Sequence, residues 1–222
     1  AGIVRAFRSE YGEPPGIALL HADFLETDLE EIRESEGGRK LLVAGNLPYN
    51  VTSPVIDRLI EQRDSVARAV LMMQAEVGER LAAAPGSGEY SALAAGVRYH
   101  AAVRPRFAVR RTCFFPRPRV DARVVELDFG DAPERRSDPA TYAAVARAAF
   151  GQRRKMLRRA LSRILEGRGA DPEDVSRRSG IDLARRGETL SVDEFDRLAL
   201  ALDQAATDAR AAGRAGPGGC SR

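Results

Sequence analysis

Three short apolar runs, separated by polar stretches of helix length, constrain this chain more than any other feature. They are Ile17–His21, Leu41–Gly45 and Ala69–Met73. Each is too short for a buried helix and too continuously apolar for a half-exposed strand. Each therefore reads as a strand buried on both faces. Between the first two lies the polar segment Glu26–Lys40, read as helix then loop. After the second, Ser53 stands as a helix cap with Pro54 at the first helical position, for a helix running to about Gln62. Glu76–Ala84 reads as another helix, stopped by Pro85-Gly86. Strands alternating with helices predict a parallel α/β sheet. Before these runs, Ile3–Tyr11 reads as the end of a helix, and Gly12–Gly16 as a turn holding two prolines and two glycines.

After Val97 the pattern changes. Val97–Val109 and Val120–Phe129 are β-like. The segment Phe114-Phe115-Pro116-Arg117-Pro118 between them cannot be a central strand, because proline donates no ladder hydrogen bond, so it reads as a rigid extended loop. Asp131-Ala132-Pro133 marks a boundary. Beyond it, helices are expected at Tyr142–Phe150, Arg153–Leu165, Glu173–Arg178 and Val192–Leu202, the last opened by a capping box of Ser191 and Glu194. Residues 205–222, rich in Ala, Gly and Arg, are expected to be disordered. The expected organisation is an α/β catalytic domain over 1–132, a small all-helical domain over 133–204 and a tail over 205–222.

Composition sets limits on function. Hydrophobic residues make up 44% of the 222, enough for a core. Net charge is 35 − 32 = +3, so the distribution of charge matters more than its sum. From Arg98 to Arg123 there are eight arginines (98, 104, 106, 110, 111, 117, 119 and 123), opposed within that window by Asp121. From Gly151 to Arg168 there are seven cations (Arg153, Arg154, Lys155, Arg158, Arg159, Arg163 and Arg168), opposed by Glu166. On a helix, Arg154 and Arg158, and Lys155 and Arg159, would share a face. A solvated helix surface is the bland explanation; two like-charged clusters in a nearly neutral chain favour a phosphate-binding surface. The two cysteines, Cys113 and Cys220, form neither a metal-ligand pair nor a disulfide framework, which fits a reducing, cytoplasmic setting. No apolar run reaches membrane-span length and no secretory signal opens the chain, so the sequon at Asn50-Val51-Thr52 carries no weight. His21 and His100 read as packing residues.

The chemistry concentrates at Asn46-Leu47-Pro48-Tyr49, directly after the second apolar run. In a parallel sheet, ligands bind at the carboxyl ends of strands. An exocyclic adenine amine is a poor nucleophile because its lone pair is delocalised into the ring. Two acceptors placed on its two N–H groups favour a pyramidal nitrogen with the lone pair free. The Asn46 side-chain oxygen and the Leu47 carbonyl supply such a pair. Pro48 disfavours the helical region for Leu47 and presents that carbonyl outward, and Tyr49 offers a face for an extruded base. The alternative is a plain strand-to-helix turn, for which Asn and Pro are ordinary.

The surrounding residues resemble the KsgA-type small-subunit rRNA adenine dimethyltransferases. Four segments carry the resemblance, in that family's order: Asn46 to Pro54, Met73 to Arg80 (Met-Gln-Ala-Glu-Val-Gly-Glu-Arg), Phe114 to Asp121 (Phe-Phe-Pro-Arg-Pro-Arg-Val-Asp) and Phe150 to Leu157 (Phe-Gly-Gln-Arg-Arg-Lys-Met-Leu). It runs from about Ile17 to Leu202. Erythromycin-resistance enzymes usually carry Ile at the position of Leu47, and DNA adenine and protein glutamine methyltransferases Pro, so the large-subunit and DNA readings are less favoured. The resemblance implies a Rossmann-like, S-adenosylmethionine-dependent methyltransferase sheet with a helical C-terminal domain. It implies N6-dimethylation of two adjacent adenines near the 3′ end of small-subunit rRNA, within a pre-ribosomal 30S particle, by a monomeric cytoplasmic enzyme. Asp23 matches the acid that hydrogen-bonds the cofactor's adenine, with the Phe24 N–H beside it; its alternative is a turn or cap residue. The family has Gly-Asp-Ala where this chain has Ala22-Asp23-Phe24, and usually Ser at Ala122, where a local packing change is expected. Phe114 matches the aromatic that stacks on the target adenine, or else is a core residue. Arg153, Arg154, Lys155, Arg158 and Arg159 would dock RNA. The family's Gly-rich turn and the acid after its second strand have no counterpart here, so the first strands of the sheet are expected to be missing. The 222 residues alone are then expected to be unstable and not to bind S-adenosylmethionine. A non-catalytic ribosome-assembly factor is the competing class.

Overall fold

The computed structural model describes residues 2–12 and 16–214; Cys220 and the end of the tail lie outside them. Helix α1 covers Gly2–Tyr11, where the sequence predicts one. The expected strand at Ile17–His21 does not form: the segment is irregular, with Ile17 56% and Leu20 65% exposed. Apolar character alone does not make a strand, because a strand's backbone groups need a partner ladder, and residues 17–21 pair with none among the described residues. Turns over 24–26 lead into α2 (Leu29–Ser35), capped by Asp28, whose carboxylate accepts from the Glu30 N–H at 2.9 Å.

The sheet has four strands: β1 (Leu41–Asn46), β2 (Val66–Gln74), β3 (Ala102–Val109) and β4 (Ala122–Asp128), in the order β1-β2-β4-β3. β1 and β2 are parallel, in register from Leu42↔Arg68 to Asn46↔Met72. β2–β4 and β4–β3 are antiparallel. The sheet is therefore mixed, not wholly parallel, because β3 and β4 are joined by the loop 110–121 without a crossover helix. α3 (Thr52–Glu61) is the crossover from β1 to β2. It starts one residue before Ser53, with Val51 as its unassisted N-cap, so Ser53 lies in the first turn and is not the cap. α4 (Ala75–Ala82) and α5 (Ala92–His100) follow β2. α5 corrects the expected strand from Val97: the Ser91 hydroxyl accepts from the Ala94 N–H and opens a helix in Ala-Leu-Ala-Ala, and the β-prone Val97 and Tyr99 are carried on it.

Beyond β4 the chain is helical. α6 (Pro139–Gly151) is capped by Asp138, and α9 (Pro172–Ser179) by Asp171, each with proline in its first turn. The helix expected over Arg153–Leu165 is broken. Residues 152–155 form a turn, followed by α7 (Leu157–Ala160) and α8 (Ser162–Arg168). The cause is competition for backbone N–H groups: Leu157 donates to the Arg185 carbonyl at 2.8 Å and Arg158 to the Leu183 carbonyl at 2.9 Å. A continuous helix would point both N–H groups back at the preceding turn. α10 (Val192–Arg214) opens with the predicted capping box: Ser191 N–H donates to Glu194 at 2.8 Å, and Glu194 N–H to the Ser191 hydroxyl at 3.1 Å. It runs on through residues 205–214, which are helical and not disordered; Ala205 and Ala206 are buried.

Two apolar cores result. One unites the buried sheet face (Ala69, Leu71, Met73, Val125, Leu127) with Val55, Ile56 and Leu59 of α3. The other unites α6–α10 around Tyr142, Leu157, Leu161, Phe195 and Leu198. α5 belongs to both: Val97 and Ala101 face the sheet, whereas Ala95 and Tyr99 face the helices. The join is polar as well. The buried Asp196 carboxylate accepts from the Ser137 hydroxyl at 2.6 Å and its N–H at 3.0 Å, and the Tyr99 hydroxyl donates to the Ser137 carbonyl at 2.6 Å.

Candidate active site

The carboxyl end of β1 opens into a cavity of about 360 Å³ lined by Asp23, Phe24, Leu25, Asn46, Leu47 and Pro48, with Val43, Val51, Val55 and Leu71 among its apolar walls. The structure thus brings together two segments that the sequence singles out separately, 22 residues apart. β1 alternates half-buried and exposed residues, and its period of two sends Asn46 to the exposed face. The Leu47 N–H extends the ladder to the Met72 carbonyl at 3.0 Å, which fixes the backbone at the turn. The Val51 N–H donates to the Pro48 carbonyl at 3.1 Å, closing that turn before α3 begins. Gly45 leaves little room for more: a β-carbon there would sit 3.2 Å from the Leu47 side chain and 3.5 Å from that of Leu71.

The Asn46 side-chain amide and the Leu47 carbonyl make no hydrogen bond among the described residues. Two acceptors at one cavity mouth are left free for a ligand. Asp23 is partly committed. One carboxylate oxygen accepts the Leu25 N–H at 2.9 Å and its carbonyl accepts the Thr27 hydroxyl at 2.7 Å, so the turn role is real. The second carboxylate oxygen stays available, as does the neighbouring Phe24 N–H. A purine would find a carboxylate for its exocyclic amine, an N–H for a ring nitrogen and apolar walls for its faces, so these residues fit the adenosine part of a cofactor.

Tyr49 follows in the turn, 40% exposed, and does not line this cavity. Phe114 is half-buried on the β3–β4 loop and does not line it either. That loop nevertheless springs from the same end of the sheet, since Val109 pairs with Ala122 and Ala122 with Gln74. Ala122 is buried in the β2–β4–β3 ladder, as a small residue there allows. The sequence does not mark the walls Leu25, Val43, Val51, Val55 and Leu71 as site residues; their apolar character announces burial, not a site.

The basic residues separate into two sets. In the first cluster, Arg104 bonds Glu126 at 3.1 Å and Asp128 at 2.9 Å, Arg106 bonds Glu126 at 2.5 Å, and Arg123 approaches Glu79 at 3.5 Å. Asp121 is thus not their main counterion, as the window suggests. The guanidinium of Arg106 holds the Glu126 carboxyl below its ordinary range, with Arg104 assisting. Burial pushes Asp128 up, but bonds from Arg104 and Arg68 bring it below its ordinary value. In the second cluster, Arg153 pairs with Glu188 at 3.1 Å, Arg158 with Glu173, and Arg168 with Asp203. Arg154, Lys155 and Arg159 make no ion pair among the described residues. Arg153, Arg154 and Lys155 sit in the turn, so no single helical face unites them with Arg158 and Arg159. A larger cavity, about 520 Å³, lies beside Met156, Arg158, Arg159 and Asp182, away from the strand ends; its Arg158 is already committed to Glu173.

Comparison with known proteins agrees with this arrangement. The family model described as Ribosomal RNA adenine dimethylase matches residues 6–204. Ribosomal RNA small subunit methyltransferase A of Bacillus mycoides (strain KBAB4) is 40% identical over 192 residues, which cover 84% of this chain and 66% of that protein; the protein of the same name from Bacillus cereus (strain B4264) matches equally. The chain therefore spans a little under two thirds of these relatives' length. Among solved structures, a dimethyladenosine transferase from Plasmodium falciparum superposes with a TM-score of 0.64 at 25% identity, covering 74% of this chain and 68% of its own. The 23S rRNA methyltransferase ErmE, at 19% identity, shares the fold, with a TM-score of 0.65 over 91% of this chain and 79% of its own. With its described helices too short or too polar to cross a membrane, and with the Asn46-to-Tyr49 turn placed at the carboxyl end of β1, the chain belongs to the ribosomal RNA adenine dimethylase family.

Proposed function

We propose that this chain carries the base-binding half of a methyltransferase site that modifies N6 of two adjacent adenines near the 3′ end of small-subunit rRNA. The free acceptor pair, the Asn46 side-chain oxygen and the Leu47 carbonyl at the mouth of one cavity with Asp23, carries this reading. The two acceptors take the two N–H groups of the target amine, hold it pyramidal and aim its lone pair. Tyr49 and Phe114 bracket the extruded base. Asp23 and the Phe24 N–H orient the adenine of S-adenosylmethionine, which supplies an electrophilic methyl group when bound. Val43, Val55 and Leu71 keep water from the wall of the cavity. The methylated nitrogen sheds a proton to water, so no general base is required of the chain. Residues 1–132 then serve catalysis and 133–204 RNA docking, through Arg154, Lys155 and Arg159 first, with Arg153 and Arg158 joining by exchanging carboxylate for phosphate. The partner is rRNA in a pre-ribosomal 30S particle in the cytoplasm, bound by a monomer.

The test is methyl transfer from labelled S-adenosylmethionine to under-methylated small subunits by the product of the complete gene. Asn46→Ala is expected to lower the rate by roughly 100- to 1,000-fold, the cost of one preorganised polar group at a reacting centre, with RNA affinity unchanged. If neither protein labels adenine while both bind RNA, the chain belongs to an assembly factor instead.

A further inference from the structure

The β3–β4 loop carries a feature the proposed chemistry does not use. Phe115 is fully exposed, next to the half-buried Phe114. Phe115 contributes nothing to the core, and a single exposed apolar residue is ordinary on a surface; its fixed placement and its neighbours are what single it out. The loop is braced. The Arg111 N–H donates to Asp121 at 2.8 Å, the Arg111 guanidinium to the Arg119 carbonyl at 3.1 Å, and the Ala75 N–H to the Asp121 carbonyl at 3.0 Å. Phe115 is thus held out from a fixed base.

Its surroundings indicate the partner. Arg110, Arg117 and Arg119 are exposed and make no ion pair among the described residues, whereas Arg104 and Arg106, on the strand below, are matched by Glu126 and Asp128. The loop leaves β4 two strands from β1, so its base stands about 10 Å from the Asn46 turn at a spacing of ~4.8 Å per strand. An aromatic face among free arginines, roughly one or two nucleotides from a base-binding turn, matches single-stranded RNA, whose unstacked bases lie on aromatic rings while cations track the phosphates.

We infer that Phe115 is a stacking platform for an unpaired base neighbouring the target adenine, with Arg110, Arg117 and Arg119 taking the adjoining phosphates. This rests on the proposed substrate class, single-stranded rRNA, but not on methyl transfer. Because the chain contains no tryptophan, Phe115→Trp makes a single-tryptophan reporter at the site.

The experiment measures binding of a short single-stranded RNA holding two adjacent adenines, at fixed salt, to the wild-type chain and to Phe115→Ala, Phe115→Tyr and Phe115→Trp. Phe115→Ala should weaken binding about 5- to 100-fold, the range for one base–aromatic stack. Phe115→Tyr should restore it, and RNA should quench the tryptophan of Phe115→Trp. With an abasic nucleotide beside the adenines, wild type should fall to the level of Phe115→Ala and the substitution should cost nothing further. Equal affinities of wild type and Phe115→Ala for the intact RNA would overturn the inference and point to a protein contact. Equal losses on intact and abasic RNA would overturn it too, because the effect would not be stacking. Circular dichroism melts confirm that an exposed substitution leaves the fold alone. If the product of the complete gene stacks RNA on Phe115 yet transfers no methyl group to under-methylated small subunits, the enzymatic reading fails and this one stands.

Discussion

The two ends of the sheet use their arginines differently. At the end that holds the amino termini of β1 and β2, Arg68, Arg104 and Arg106 converge on Glu126 and Asp128, and Arg104 reaches Asp131 as well. At the other end, Arg110, Arg117 and Arg119 lack counterions among the described residues, Phe115 stands in solvent, and the Asn46 amide and Leu47 carbonyl lack partners. Polar groups without protein partners are tolerable only where water reaches them, because burial unpaired costs about 1–3 kcal/mol each. The unpaired arginines and free acceptors thus gather on the rim that carries Asn46, and the buried carboxylates Glu126 and Asp128 lie on the other. The matched end holds the sheet together; the unmatched end is free to bind.

Substitutions at the two rims should separate activity from stability. Asn46→Ala, with the largest effect on catalysis, should leave the thermal midpoint nearly unmoved, since its amide makes no hydrogen bond among the described residues. A drop comparable to that of a core substitution would erase the distinction. Glu126→Gln at the opposite rim should do the reverse. Its carboxylate is buried under three arginines that are themselves 39–47% exposed, so screening reduces the expected loss to about 1–2 kcal/mol from the 3–5 of a fully buried pair. Methyl transfer assayed well below the midpoint should persist. Loss of transfer in a folded Glu126→Gln protein would show that the matched end reaches the site.

What was legible in the sequence divides along the same line. The place of the Asn46–Tyr49 turn at the end of a strand was readable because it depends on consecutive residues and a preceding apolar run. The capping box at Ser191 and Glu194 was readable for the same reason. The Ile17–His21 strand was not, because strand formation depends on a partner ladder that local composition cannot report. α5 was misread from Val97 onward because a helix buried on two faces, Val97 to the sheet and Tyr99 to the helices, has no polar stripe to reveal its period. The break at Arg153–Lys155 follows from carbonyls at 183 and 185, thirty residues away. The sorting of arginines into matched and free sets likewise needs the cross-strand register of β3 and β4.

His100 makes the matched end sensitive to acid. It lines a cavity with Lys40, Arg63, Asp64, Tyr99 and Arg135, and a second with Asp57 and Arg147. Burial, then Arg63 and Arg135, lowers its pKa from 6.5 to about 4. A base whose folded pKa is depressed stays neutral in the fold while the unfolded chain takes up a proton. Stability is therefore full above about 6.5 and falls as pH drops towards 4. The ring is partly open to water, which limits the effect to at most about 2 kcal/mol. Glu30, held at about 2 by Arg33 and Ser65, loses its contribution in a lower window, from about 4.5 downward. Urea midpoints measured from pH 7 to pH 4 should decline in the wild type and stay flatter in His100→Asn. Parallel curves would assign the acid sensitivity elsewhere.

The smallest effect tests the free arginines one at a time. Each cation that meets a phosphate releases condensed counterions, so removing it lowers the slope of log affinity against log salt by about 0.7 on single-stranded RNA. Arg117 makes no ion pair among the described residues, and Arg117→Ala should reduce that slope without moving the melting midpoint. Arg104 must abandon Glu126 and Asp128 before it can reach a phosphate. Arg104→Ala should thus leave the slope intact and lower the midpoint. A reduced slope for Arg104→Ala would mean that RNA competes successfully for the matched guanidinium, and the RNA surface would then extend along the whole hairpin instead of stopping at its loop.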